Sequence, residues 1–404
     1  MPGDDSREGS LRWLVLASVV GMNFVATGMA WTYVVVLVAP ILEDLHLQLL
    51  DWGKLWSGLS MGALLGAVPA GVLGDRFGVR GVVTAGALAM AATLGLRALG
   101  GSFGVVLVAM VLYGVTLSLV SANLPKALGM WFPPQQLGLV NGIALAGNGG
   151  GQGLATFAAP LALGWAGGWR GLTAWLALGV TALAVIWGVC VRERGPRPEP
   201  GDTPAGAGIG SALGVPAVWL VAGSYFFFLA GYLGVVSYLP SYLVSARGLA
   251  PQAAGGMLSI VLASYVLGSL IFPGLSDRIG LRKAVYVPGI LLSGAMVYCS
   301  SAFTGSTLVA VMVVWGLAAG AIALVFTVPL ELPEIGPELA GSAIGATLMA
   351  GFAGGFISPI VGLALAERSP SAAFLFWAGC YALSALAFAF LPETGSARRY
   401  GGAR

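Results

Sequence analysis

Runs of about twenty consecutive apolar residues recur along this chain, parted only by short polar turns, and no soluble core of this size could bury them all. They lie at 13–41, 53–74, 81–100, 103–130, 137–163 and 169–191, then at 216–244, 252–274, 284–303, 306–332, 338–365 and 370–391. Only 9% of the 404 residues are charged and 58% are hydrophobic, whereas a soluble domain carries about 25% charged residues. The solvent for these faces is therefore lipid. In hydrocarbon every backbone N–H and C=O must be bonded inside its own segment, which makes the runs helices. They also lack the alternation of barrel strands. The expected fold is an all-α membrane protein with 12 transmembrane helices.

One long polar stretch interrupts the series, "RERGPRPEPGDTPAGAGIGSALG" from Arg192. Proline, glycine and charge mark it as a linker. It divides the chain into an N-terminal six-helix bundle (1–191), a cytoplasmic linker (192–215) and a C-terminal six-helix bundle (216–404). With the N-terminus inside, fourteen of the nineteen Lys and Arg fall on the inner side and five on the outer. The positive-inside rule then places both termini and the linker in the cytoplasm of a cell whose inner membrane the chain crosses many times. The opening "MPGDDSREGS" is too acidic for a signal peptide, so the first run reads as an uncleaved span.

Several function classes are disfavoured. The net charge of +3 has no basic block that would suit nucleic acid. Cys190, Cys299 and Cys380 lie in apolar runs and form no metal or disulfide pattern. A single histidine, His46, in a loop and no acid pair inside the spans argue against an intramembrane enzyme. The expectation is a transporter with no cofactor and no metal, acting as a monomer in the bilayer on a small-molecule substrate.

A short repeat narrows this. "GVLGDRFGVRG" from Gly71 follows the second span, and "PGLSDRIGLRK" from Pro273 follows the eighth, with Asp75, Arg76 and Arg80 answered by Asp277, Arg278 and Arg282, each 202 positions on. An even number of spans separates the copies, so the halves are parallel repeats about an axis along the membrane normal. Twelve spans, a central linker and this loop resemble the major facilitator superfamily, whose signature is Gly-x-Leu-x-Asp-Arg-x-Gly-Arg/Lys-Arg/Lys. Gly71, Leu73, Asp75, Arg76, Gly78 and Arg80 fill it, with Val79 in place of the first basic residue. Leu275, Asp277, Arg278, Gly280 and Arg282 repeat it, with Pro273 where the first glycine would stand. The resemblance implies two pseudo-symmetric six-helix bundles working by alternating access. It also implies that Asp75, Arg76, Arg80, Asp277, Arg278 and Arg282 serve as gating residues. A carboxylate at such a helix end can accept hydrogen bonds from a helix N-terminus of the other half, near Pro337 for Asp75 and near Gln135 and Gln136 for Asp277. "LPKALGMWFPP" from Leu124, with "GLVNGI" after it, is similar to organic-anion branches such as monocarboxylate and oxalate–formate carriers. Nitrate and cyanate porters look similar at this point too.

Polar side chains inside membrane helices are costly and point to function. The candidates for substrate binding are Asn23, Thr27 and Trp31 in the first span, Tyr113 in the fourth, Asn148 and Gln152 in the fifth, Tyr232 in the seventh, Tyr265 in the eighth and Trp315 in the tenth. Thr116, Ser118, Tyr225 and Ser264 share their depth. The superfamily cavity is lined chiefly by spans one, four, seven and ten. Trp13, Trp52, Trp56, Trp169 and Trp219, near span ends, read as interfacial anchors. No titratable side chain is expected at mid-depth, and because nitrate porters and phosphate-ester antiporters of the superfamily place arginines in the cavity centre, the expectation is against both. Lys126 and Glu331 near the inner ends of spans four and ten are possible coupling residues, and Arg97 reads as snorkelling at the outer end of span three. Gly147 and Gly151, and Gly341 and Gly345, have the spacing that lets helices approach closely, either at the seam between bundles or within one. The expected activity is secondary active or facilitative transport of a small organic anion such as a monocarboxylate. The alternative is export of lipophilic compounds, although "GNGGGQG" lacks the proline of the drug exporters' fifth-span motif.

Overall fold

The computed structural model describes residues 4–192 and 207–395. Most of the linker, with Arg194 and Arg197, and the C-terminal Arg398, Arg399 and Arg404 counted for orientation lie outside the described residues. Among those described, every regular element is a helix. Ten helices are long and apolar enough to cross a membrane, and Lys283–Cys299 is apolar but shorter. Pro134–Ala166 completes the twelve: it is 33 residues long, but glycines and amides dilute its apolar character.

Three of the twelve spans depart from a regular α-helix. The first runs as α-helix from Asp4–Gly21, winds as a π-helix over Met22–Met29, and tightens to a 3-10 turn at Tyr33–Val36. The fourth, Phe103–Ser121, turns at 122–123 before Leu124–Trp131. The tenth, Gly305–Ala319, becomes 3-10 over Gly320–Phe326 and then forms Val328–Glu331. The breaks in the fourth and tenth spans sit at equivalent points of the repeat. Asn123 stabilises the first of them by donating from Nδ2 to Ala70 O and Leu119 O, at 3.0 and 2.9 Å. The repeated loop follows Leu49–Phe77 and lies at the end of Pro251–Ile279. Its glycines Gly78 and Gly280 have φ of 85° and 75°, where a side chain would be strained.

The chain divides into two compact units, residues 1–47 with 61–203, and residues 48–60 with 204–404. In the first unit the first and fifth spans meet backbone to backbone. A Cβ on Gly28 would stand 2.6 Å from Asn148 O, one on Gly151 would collide with Phe24 O, and one on Gly147 would press on Val20. These glycines thus pack within one unit, whereas Gly142, Gly341 and Gly345 have open space around them.

The second unit has an aromatic interior. Ser358 donates to Ala230 O at 2.5 Å and receives the Trp377 indole N–H at 3.1 Å. Ser224, Tyr286 and Ser384 form a buried triangle of hydroxyls, 2.8 to 3.3 Å apart. Residues 48–60 belong to this unit. Trp52 donates to Ser237 O at 3.0 Å and stacks on Trp56. Trp52 and Trp56 are fully buried and Trp169 nearly so, so they are core residues and not interfacial anchors, while Trp13 and Trp219 are exposed. The indole N–H explains the difference at Trp52, because it satisfies a backbone carbonyl inside the unit.

Gly151→Ala is expected to destabilise the protein by ~1–3 kcal/mol, the usual cost of overpacking a tight contact. Gly142→Ala, in open space, is expected to change nothing. Thermal unfolding of the two purified variants in detergent compares them directly.

Candidate solute site

The first unit joins four of the sequence candidates into one hydrogen-bonded chain. Gln152 Nε2 donates to Asn148 Oδ1 at 2.6 Å, and Asn148 Nδ2 donates to the Thr27 hydroxyl at 2.8 Å. Thr27 in turn donates to Asn23, with its O at 3.1 Å and its Oδ1 at 3.3 Å. The two amides lie one helical turn apart on the fifth span. Their partner lies on the π-helical part of the first, which the glycine contact brings within reach. Asn23, Asn148 and Gln152 are half-buried. Amides and hydroxyls can donate to a carboxylate or carbonyl without the desolvation cost of a buried charge.

The other candidates fall into separate groups. Tyr113 is fully buried and its hydroxyl donates to Ala26 O at 2.7 Å. Trp31 is half-buried on the same span as Thr27. Thr116 donates to Tyr113 O of its own helix, the ordinary use of a hydroxyl there, whereas Ser118 donates across to Ala63 O of the second span. In the second unit Tyr232 packs on Tyr265 with ring centroids 5.5 Å apart and on Phe228 at 5.8 Å. Tyr225 meets Phe326 edge to face, where the tenth span is 3-10. Trp315 is buried and donates to the Tyr381 hydroxyl at 3.2 Å.

The repeated loops build an ionic cluster in each unit, and the two differ. Asp75 pairs with Lys126 at 2.5 Å, and Lys126 also donates to Gly71 O. Asp277 pairs with Arg282 at 2.5 Å, and Arg282 forks onto both oxygens of Glu331, at 2.5 and 3.2 Å. The Glu331 hydrogen bonds, outweighing partial burial and aided by Asp277, hold the Arg282 guanidinium further toward its protonated form. Glu393, beyond the twelfth span Pro370–Ala389, accepts the backbone N–H groups of Arg282 and Lys283 at 2.6 and 3.1 Å. It neutralises the positive end of the ninth helix. Sequence reasoning missed Glu393, although a lone acid just beyond a final apolar run was a usable signal. Arg76 and Arg278 are exposed, and Arg80 donates to Gly188 O at 2.9 Å. Lys126 and Glu331, the candidate coupling residues, are thus both ion-paired with the repeated loops.

Arg97 departs from the sequence expectation. It does not snorkel. It is 1% exposed, with its guanidinium 4.9 Å over the Tyr113 ring and Nη1 3.4 Å from the Tyr33 hydroxyl. The aromatic face and the hydroxyl receive the cation inside the helix bundle.

Twelve apolar spans and the doubled loop define a multi-pass membrane protein of two repeated halves. The family model for the Major Facilitator Superfamily matches residues 19–359, and the chain belongs to that superfamily. It is 27% identical over 367 residues to the probable nitrate/nitrite transporter NarK2 of Mycobacterium tuberculosis, covering 86% of this chain and 87% of that protein. It is 25% identical over 304 residues to the hexuronate transporter of Bacillus subtilis, covering 72% and 70%. Among solved structures, the nucleoside transporter NupG superposes with a TM-score of 0.78 at 18% identity, covering 94% of this chain and 99% of that one.

The exposure of the two ionic clusters sets their energies apart. Arg282 and Glu331 side chains are 11% and 18% exposed, whereas Lys126 and Asp75 are 34% and 49% exposed. Glu331→Gln is expected to cost ~1.5–3 kcal/mol, the scale of a charged hydrogen bond. Asp75→Asn is expected to cost under about 1 kcal/mol, because solvent screens an exposed pair. Chemical or thermal unfolding of the purified variants measures both.

Proposed function

We propose that this superfamily transporter moves a small organic anion of the monocarboxylate class by alternating access, with the chain Asn23–Thr27–Asn148–Gln152 holding the solute. The observation that carries the reading is the coupling of two uncharged amides to a hydroxyl on a non-α stretch of the first span. Such a stretch inside a membrane helix is a common place for function, because it frees backbone groups and re-aims side chains. The names of the curated relatives fit an anion: nitrate or nitrite for one, hexuronate for another. Tyr113 and Trp31 in the first unit, and Tyr232, Tyr265 and Trp315 in the second, are the further binding candidates, each taken within its own unit. Asp75, Arg76, Arg80, Asp277, Arg278 and Arg282 take a gating role at the span ends, where they bias one state over the other without touching solute.

Binding measured on purified protein tests the site. A panel of small carboxylates is expected to compete with one another, and hydrophobic cations are expected not to displace them. Displacement by the cations instead would favour an exporter of lipophilic compounds. Gln152→Ala or Asn148→Ala is expected to lose ~1–2 kcal/mol, about five- to thirty-fold in affinity. Asp277→Asn is expected to keep the affinity and slow the exchange rate. Unchanged affinity in both amide variants would remove the fifth span from the site.

Coupling follows from the ionic clusters. Lys126 and Glu331 are already neutralised by Asp75 and Arg282. Uptake into proteoliposomes is therefore expected to follow the solute gradient, and an imposed pH gradient alone is expected to drive no accumulation. Accumulation under a pH gradient that disappears in Glu331→Gln would overturn this and identify the coupling residue.

A further inference from the structure

The third span, Val79–Leu99, sets Arg97 in its last turn and buries it. Among the described residues no carboxylate pairs with it, and its Nε and Nη2 have no hydrogen-bond partner. Arg170 on the sixth span is different, because Asp44 neutralises it. An arginine is a cation at any pH a membrane meets. Burying one without a counter-charge is strongly unfavourable, and a well-packed apolar residue would avoid the penalty. The helix itself does not need it, since the neighbouring turns of the span are apolar. The charge is the property that an apolar residue could not replace.

Arg97 touches the two tyrosines that brace the irregular part of the first span. The Tyr113 hydroxyl holds Ala26 O, next to Thr27. The Tyr33 hydroxyl bonds Thr173 Oγ1 at 2.6 Å, and the adjacent Thr32 donates to Gly28 O and to Gln152 O, at 3.2 and 3.3 Å. The tyrosines that hold the cation and the amide chain therefore meet on the same stretch of the first span. All of these residues belong to the first unit.

We propose that Arg97 is a specificity-determining residue whose unneutralised charge makes the Asn23–Thr27–Asn148–Gln152 chain favour anions over neutral solutes of the same shape. The inference rests on the reading of that chain as the solute site. Arg97 acts through its field and does not contact the solute. Water would screen such a charge, whereas the apolar interior transmits it. The neutral amides supply directional hydrogen bonds, and the buried guanidinium supplies the charge preference that the amides lack.

The test uses the purified full-length chain in detergent and pairs of probes matched in shape: acetate with acetamide, lactate with lactamide. Binding is read from intrinsic tryptophan fluorescence. The native chain is expected to prefer the carboxylate by about tenfold or more. Arg97→Gln is expected to bring that preference within about threefold while binding of the neutral amide is retained. Arg97→Lys, which keeps the charge but not the planar stacking, is expected to retain most of it. A full anion preference in Arg97→Gln overturns the proposal, and so does a preference lost in Arg97→Lys as completely as in Arg97→Gln. If Arg97→Gln does not fold, Arg97→Met, which removes the charge and keeps an unbranched apolar stem, is read in its place with the same two outcomes. A native chain that binds both members of every pair equally would instead sink the anion reading of the site, and this inference with it.

Discussion

A backbone carbonyl in hydrocarbon must find a donor or cost several kcal/mol, and the first span meets that demand in an uncommon way. Its winding changes from α to π to 3-10 within fifteen residues, so the regular ladder cannot satisfy every group. Side chains complete it. Tyr113 donates to Ala26 O, Thr27 to Asn23 O and Thr32 to Gly28 O. The polar chain to the fifth span begins on this repaired backbone, at Thr27. The glycine contact at Gly28 and Gly151 is what brings Asn148 close enough to use it. Irregular winding, close approach and the candidate site are therefore one arrangement.

The repeat keeps its sequence better than its partners. Asp75 and Asp277 occupy equivalent positions, and each finds a cation near the end of a helix. In the first unit that cation is a lysine from the fourth span, a point charge on a flexible stem. In the second it is the repeat's own arginine, Arg282, locked by Glu331 from the tenth span and carrying Glu393 on its backbone N–H. A planar fork against a carboxylate fixes geometry as well as charge, which a lysine does not. Equivalent loops are thus held differently, by an exposed pair in the first unit and by a largely buried fork in the second.

The architecture was legible in the sequence because lipid leaves few choices: apolar runs of this length are helices, and the doubled Asp-Arg-x-Gly loop marks the halves. Gly78 and Gly280 explain part of that loop, since both sit at positive φ. The hydrogen-bonded chain through Asn148 and Gln152 was half visible, because the i, i+4 spacing shows a shared face but not what the face meets. Arg97 was misread from its place near a helix end. Its helical phase was the better guide, since Met90, Leu94 and Arg97 follow one stripe and all three are buried. Trp52 was misread for the same reason: nearness to a span end says nothing about whether an indole N–H has a carbonyl waiting inside, and Trp56 is buried with it by stacking on its ring.

The dilution of the fifth span bears on how the chain enters a membrane. A segment carrying Asn141, Asn148 and Gln152 among many glycines gains little from leaving the translocon for lipid by itself. Asn148 is satisfied by Thr27, on a helix synthesised more than a hundred residues earlier. Insertion of the fifth helix is thereby tied to retention of the first nearby, and the order of synthesis becomes part of the folding pathway. The same bonds that shape the proposed site act earlier as the reason a reluctant helix stays in the bilayer.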